Sequence, residues 1–288
     1  VPASPSHLAS DGDPLDEGEL RNAGFRTIEQ LSETASTMLR AREIAADPAV
    51  PLPAVVVADR QLRGRGRSDA SWWQPPGSLA ASIIIGGEEP AAAAVTPATA
   101  VTTAPAPIWS LVCGVAVAET LRQLEPDLRT TVRWPNDVEV GRRKLAGILV
   151  EVPVSGRAIF GIGVNTSGAA ADAPPPVRQR LVTVPDLTGR QLPRGPLLSA
   201  LLPRLLGLLD ESGRDPDALV GRYRPLCSLE GRLLTVYQAS AEGGELHGLC
   251  RGIAADGSLV LDTPSGRVHV TRGSLTAPAD VWRAGDAG

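Results

Sequence analysis

Lysine is nearly absent from this sequence: of 28 basic residues only Lys144 is a lysine, and the other 27 are arginines. Such a background reads as a genomic bias. Its one surviving lysine marks either chance or a position needing a compact, flexible ammonium that a planar guanidinium cannot imitate. Cysteine is scarce as well. Cys113, Cys227 and Cys250 are odd in number and show no paired spacing, which argues for reduced thiols, hence a cytoplasmic setting, and against a metal cage. His7, His247 and His269 are scattered, without a metal-ligand pattern. No apolar run approaches the roughly 20 residues of a membrane-spanning helix. The first 20 residues lack a basic region followed by an apolar run, so they do not read as a secretory signal. The net charge of −4 gives no reason to expect nucleic acid as a partner. What is present is core-forming material. With 43% hydrophobic residues in 288, the chain can build one large domain, or a large and a small one.

Residues 1–20, poor in aromatic and β-branched side chains, read as a flexible tail. A helical pattern starts at Ser36, with Ser36 or Thr34 as its cap and Pro48 closing it. Ala54–Ala58 is a short apolar run, as expected of a buried strand. An Arg/Gly-rich loop from Asp59 to Ser78 follows, then a strand at Leu79–Ile85. Residues 86–107 are Gly/Ala/Pro/Thr with few large side chains and read as a mobile insertion. Helical spacing returns at Ile108–Leu124, and strands are expected at Thr131–Trp134, Leu145–Val152 and Ala158–Val164, the last two antiparallel neighbours. A loop at Thr166–Arg180 leads to helices at Pro196–Glu211 and from Asp215 to about Tyr223. Short strands at Arg232–Tyr237, Leu246–Ala254, Ser258–Asp262 and Arg267–Thr271 suggest an appended small β-barrel.

Four segments carry candidate chemistry. In Gln61-Leu62-Arg63-Gly64-Arg65-Gly66-Arg67, glycines allow close backbone approach and arginines offer forked donors to an anion; alone it reads more readily as a solvated loop. Arg133-Trp134-Pro135-Asn136-Asp137 is an ordinary turn, or a turn presenting a carboxylate. Lys144-Leu145-Ala146-Gly147-Ile148-Leu149 sets the sole lysine at the mouth of a strand of small and apolar residues. Gly161-Ile162-Gly163-Val164-Asn165 is, by itself, no more than close packing.

Taken in order over about residues 30–275, these segments resemble the biotin protein ligase family, in its short form with no helix-turn-helix before the catalytic region. The resemblance implies an α+β fold. A mixed-sheet catalytic domain of the biotin/lipoate ligase kind, related to class II aminoacyl-tRNA synthetases, would span 21–226, and an SH3-like domain 227–279. It implies a cytoplasmic enzyme that forms biotinyl-5′-AMP from biotin and ATP with Mg²⁺, then modifies a lysine of a biotin carboxyl carrier domain. DNA and membrane are not expected partners, and monomer and homodimer stay open. Lys144 would stabilise the mixed anhydride, with Arg65 and Asp137 beside it in catalysis. Ser36, Thr37, Gln61, Gly64, Arg65, Lys144, Gly147 and Ile148 would contact biotin. Arg65, Arg67, Trp72, Asn136 and Asn165 would serve the nucleotide, and Asp137 the Mg²⁺ or the incoming amine.

The chain departs from the family pattern in three places. Ser68, Asp69, Ala70 and Ser71 stand where a second Gly-Arg is usual, Met38 replaces an asparagine, and Arg133 replaces a lysine. The altered loop and Met38 motivate an alternative, a biotin- or adenylate-binding sensor or scavenger with little transfer. Lipoate ligation is a third reading, disfavoured by Trp134-Pro135-Asn136-Asp137 together with the Lys144 segment.

Overall fold

The computed structural model describes residues 13–67, 70–86, 107–238, 244–277 and 280–282. The first twelve residues of the expected tail, nearly all of the expected insertion, and His7 lie outside them.

Seven strands form the larger sheet: β1 (Thr27–Thr34), β2 (Ala54–Gln61), β3 (Leu79–Ile85), β4 (Thr131–Arg133), β5 (Asp137–Val140), β6 (Arg143–Glu151) and β7 (Ala158–Val164). Their order is β1-β2-β3-β7-β6-β5-β4. Only the β1–β2 pair is parallel, so the sheet is mixed, as expected. Side chains alternate between its faces. On β2, Val55 and Val57 join the main core beneath α3 (Pro107–Leu124) and α6 (Arg194–Arg214), while Ala54 and Val56 meet Met38, Ala41, Ile44 and Ala45 of α2 (Thr37–Ala46).

The helix α6 holds Leu197, Leu198, Leu201, Leu202, Leu205, Leu208 and Leu209 buried along one stripe. Each burial contributes about 1.5–3 kcal/mol, which outweighs the roughly 3 kcal/mol cost of Pro203 inside the helix. At its N-terminal end Arg194 is fully buried, its guanidinium 2.9 Å from Asp13 and 2.7 Å from Asp59. This pairing corrects the expected tail. Asp13 is pinned to Arg194, Asp16 caps α1 (Glu17–Asn22) by accepting from the Glu19 N–H, and Leu20 is buried. Asp59→Ala, which strips a buried arginine of its better-shielded partner, is expected to lower stability by about 3 kcal/mol. Denaturant unfolding checks it, and a loss near zero would show that Asp13 alone suffices.

Other expectations shift by a few residues or fail. The strand β1 went unread, and β2 runs on to Gln61 into the segment expected as loop. Ser36 takes the N-cap position of α2 without a side-chain cap bond, and Thr34 is the last residue of β1. The 166–180 loop contains α4 (Pro175–Arg178), and Thr183 caps a further helix, α5 (Val184–Thr188), in a full capping box. Asp215 caps α7 (Pro216–Tyr223), as expected.

A second sheet follows, formed by β8 (Leu233–Tyr237), β9 (Glu245–Ile253), β10 (Leu259–Thr263) and β11 (Gly266–Val270), antiparallel throughout in the order β11-β10-β9-β8. These strands fall within one residue of expectation. Gly257 and Gly266 turn the chain at positive φ, where a side chain would be strained. This small sheet, of the SH3-like kind, is bolted to the larger one. Trp134, 1% exposed, donates from its indole to Gly257 O at 3.1 Å, and Arg133 donates to Leu275 O at 3.2 Å. Cys113, Cys227 and Cys250 are unpaired thiols. Among the described residues no helix is long and apolar enough to cross a membrane.

Candidate active site

A cleft of about 1340 Å³ lies over the middle of the larger sheet and reaches the C-terminal one. Strand register builds its floor. Asp137 pairs with Gly147, Gly147 with Gly163, and Gly163 with Ala80, so one row of small residues crosses β5, β6, β7 and β3 and ends at a carboxylate. The adjacent row is Leu149, Gly161 and Ser82. The glycines are required by what lies on them. A Cβ at Gly163 would stand 2.4 Å from the Trp72 ring, one at Gly161 2.6 Å from Met38 Sδ, and one at Gly147 2.8 Å from Lys144 Cε.

Lys144 is therefore laid down over a gap. Its backbone is fixed on one side by β5 and on the other by the Arg180–Val182 segment, through Lys144 N–H to Arg180 O (2.7 Å) and Val182 N–H to Lys144 O (3.0 Å). Its ammonium reaches Asp137 Oδ1 at 2.6 Å and lies 5.4 Å from the centre of the Trp72 ring, close enough for a cation–π attraction. Arg133 approaches the other Asp137 oxygen at 3.7 Å and Glu139 at 3.8 Å. Burial pushes the Glu139 carboxyl up, and Arg133 opposes it. Arg67 faces Gly273 O and Asn136 Oδ1, each at 3.5 Å. Burial pulls its guanidinium below the usual value, with Asp137 working against the fall.

At the other end, over β3 and the start of α2, the cleft is polar but uncharged. The Thr37 N–H donates to Gln61 Oε1 (2.9 Å), and the Thr37 hydroxyl lies 3.3 Å from the same oxygen. Ser36 Oγ is buried without a hydrogen-bond partner. The Arg/Gly loop folds back above. Trp72 N–H donates to Gly64 O, and a Cβ at Gly64 would stand 2.6 Å from Trp72 O, so Gly64 serves the loop's shape rather than the cleft wall. The C-terminal segment returns to the same loop, with Ser71 N–H donating to Trp282 O at 3.0 Å and Arg180 holding Asp280 O at 2.8 Å.

The structure thus gathers Ser36, Thr37, Gln61, Arg65, Arg67, Trp72, Asn136, Asp137, Lys144, Gly147, Ile148 and Asn165 around one cleft. Arg65 sits exposed at its rim. Asn136 and Asn165 spend their amide donors on backbone: Asn136 on Ile148 O at 2.7 Å, Asn165 on Val182 O at 3.0 Å, leaving Asn165 Oδ1 buried and unpartnered. The Mg²⁺ expected beside Asp137 would meet a carboxylate whose two oxygens already face Lys144 and Arg133. His247 and His269 lie in the C-terminal sheet, beside Thr235 and Ser258. Met38, read from the sequence as a departure near the pocket, does line the cleft. Sequence reading missed the Trp282 segment, and Gln74 and Ser82, which bond to Gln61 and Thr37 from behind the cleft wall.

Residues 33–165 match the Biotin/lipoate A/B protein ligase family, and residues 239–274 the Biotin protein ligase C terminal domain. A biotin–[acetyl-CoA-carboxylase] ligase of Paracoccus denitrificans is 32% identical over 82% of this chain and 95% of its own length. The chain belongs to the biotin protein ligase family. The corresponding ligase of Mycobacterium tuberculosis is 29% identical over 91% of this chain and 95% of its own. Among solved structures, the Aquifex aeolicus biotin protein ligase in complex with biotin and ATP superposes with a TM-score of 0.72, at 24% identity, over 86% of this chain and 97% of that one. At that identity the likeness speaks for the family fold.

Proposed function

We propose that this cleft joins the carboxylate of biotin to the α-phosphate of ATP, giving biotinyl-5′-AMP and pyrophosphate, and then passes the biotinyl group to a lysine amine of a biotin carboxyl carrier domain. The observation that carries the reading is the trench between two unlike ends. A neutral polar end at Ser36, Thr37 and Gln61 suits a urea. The glycine floor suits a flat bicycle and its alkyl tail, and the cationic end at Lys144, Arg133 and Arg67 suits a carboxylate meeting a phosphate. From β3 to β5 the floor crosses three inter-strand steps, roughly 14 Å, enough to extend such a molecule.

The chemistry demands little proton transfer before adenylation. Several negative charges must be brought together and held, so positioning and electrostatic stabilisation dominate. In this reading Lys144 sits between the carboxylate and the α-phosphate and stabilises charge as the anhydride bond forms. Asp137 holds its ammonium in place and later faces the incoming amine. Arg65 and Arg67 draw the loop over the phosphates, with Trp72 as an apolar lid. Asn136 and Asn165 tie down the strand ends beneath the nucleotide. The free thiols fit a reducing, cytoplasmic compartment.

Biotin-dependent exchange of labelled pyrophosphate into ATP tests the first step. Purified protein is expected to catalyse it with biotin and not with lipoate. Biotin binding without exchange would overturn the ligase reading in favour of a sensor.

A further inference from the structure

We infer that Ser82, at the foot of the polar end, is a positioning residue that sets which face of the Gln61 carboxamide a ligand meets, and so makes the site select for a hydrogen-bond acceptor there. The inference rests on the ligase reading for its ligand, but its geometry stands alone.

A backbone N–H can only donate, so the Gln61 atom 2.9 Å from Thr37 N is its oxygen. The Thr37 hydroxyl is near enough to donate to that same oxygen, at 3.3 Å, provided its proton points that way. Ser82 decides this. Its hydroxyl is fully buried and donates to Thr37 Oγ1 at 2.9 Å, which occupies an acceptor site on Thr37 and turns the Thr37 proton toward Gln61. Two donors then converge on Gln61 Oε1, and the amide nitrogen is left with its donors for the cleft.

The backbone of Gln61 is fixed independently. Its N–H donates to Gln74 Oε1 at 3.1 Å, while the Gln74 amide nitrogen holds Ala58 O, Asp59 O and Ser78 O at 3.0–3.2 Å. Clamped at both ends, Gln61 presents N–H groups rather than a carbonyl, beside the unpartnered Ser36 hydroxyl. A urea carbonyl is an acceptor and fits. A guanidinium in its place carries only donors and positive charge, and is repelled.

The test compares biotin with 2-iminobiotin, in which a guanidinium replaces the urea at neutral pH, by calorimetric binding to the full-length protein. Wild type is expected to prefer biotin strongly. Ser82→Ala frees the Thr37 proton and weakens the clamp by one hydrogen bond, and should reduce the preference on the order of tenfold. In a Gln61→Leu background Ser82→Ala should change the preference no further, because the effect passes through Gln61. Ser82→Cys, similar in size with a weak donor, should fall between and serves if the alanine variant folds poorly. An unchanged preference in Ser82→Ala, or an equal loss with and without Gln61, overturns the inference and leaves Ser82 a packing residue. Wild type that binds biotin, shows the expected selectivity, and yet catalyses no exchange fails the ligase reading while upholding this one. Wild type that binds neither compound overturns both.

Discussion

Lys144→Ala is expected to slow biotin-dependent pyrophosphate exchange on the order of 10²–10³-fold, the scale seen when one well-placed charge-stabilising donor is removed. Lys144→Arg is expected to be nearly as slow, although it keeps the charge. The space explains why. The lysine stem runs over Gly147 with less clearance than a single methyl group needs, and its tip is fitted between Asp137 and the face of Trp72. A guanidinium is broader and planar, and its charge is spread over three nitrogens. It can satisfy Asp137 only by lifting off the floor or displacing the indole. Both variants should melt close to wild type, since Lys144 is a third exposed and packs little core. Near-normal exchange in Lys144→Arg would remove the case for a compact ammonium and return the lone lysine to chance.

Gly147→Ala should produce a comparable defect without touching any charged group. The added Cβ would fall 2.8 Å from Lys144 Cε and 2.9 Å from its Nζ, with Trp72 Cζ3 at 3.1 Å on another side. Because the nearest obstacle is the flexible end of a side chain, the fold can absorb the methyl at small cost in stability. The lysine cannot stay where it was. A displacement of about 1 Å at a reacting centre is worth up to about 10²-fold in rate, so exchange is expected to drop by roughly that factor while the melting temperature scarcely moves. Single-turnover adenylation, with biotin affinity measured alongside, separates the effects. A loss confined to affinity would show that the methyl blocks the pocket and not the lysine.

The parts of the fold that could be read from residue order were those whose signal is local. The strands β3 and β7 are short, apolar and bounded by turn residues, and Asp215 followed by Pro216 announces α7. The strand β1 escaped because Ile28 and Leu31 are three residues apart, a helical spacing, on an edge strand whose side chains are all at least partly exposed. The strand β5 escaped because its four residues begin inside what reads as a turn. The tail was misjudged because its anchor, Arg194, lies 181 residues away from Asp13. The site divides in the same way. Motif residues were visible one by one, whereas the glycine row exists only through cross-strand register and the Ser82–Thr37–Gln61 chain only through the seating of α2 on the sheet. Gly147 and Gly163 are 16 positions apart in the chain and adjacent in the sheet.

The scarcity of lysine carries a consequence for the protein's own safety. An acyl-adenylate that drifts out of such a cleft is an indiscriminate acylating agent toward amines. Here the cationic surface is built from arginine, whose guanidinium stays protonated and does not attack. The one side-chain amine is Lys144, lodged against Asp137. The protein therefore offers a reactive mixed anhydride a single side-chain amine, and that one is ion-paired. By the same token, an amine-specific covalent label has a single side-chain address on this protein, at the place where occupancy of the site would shield it.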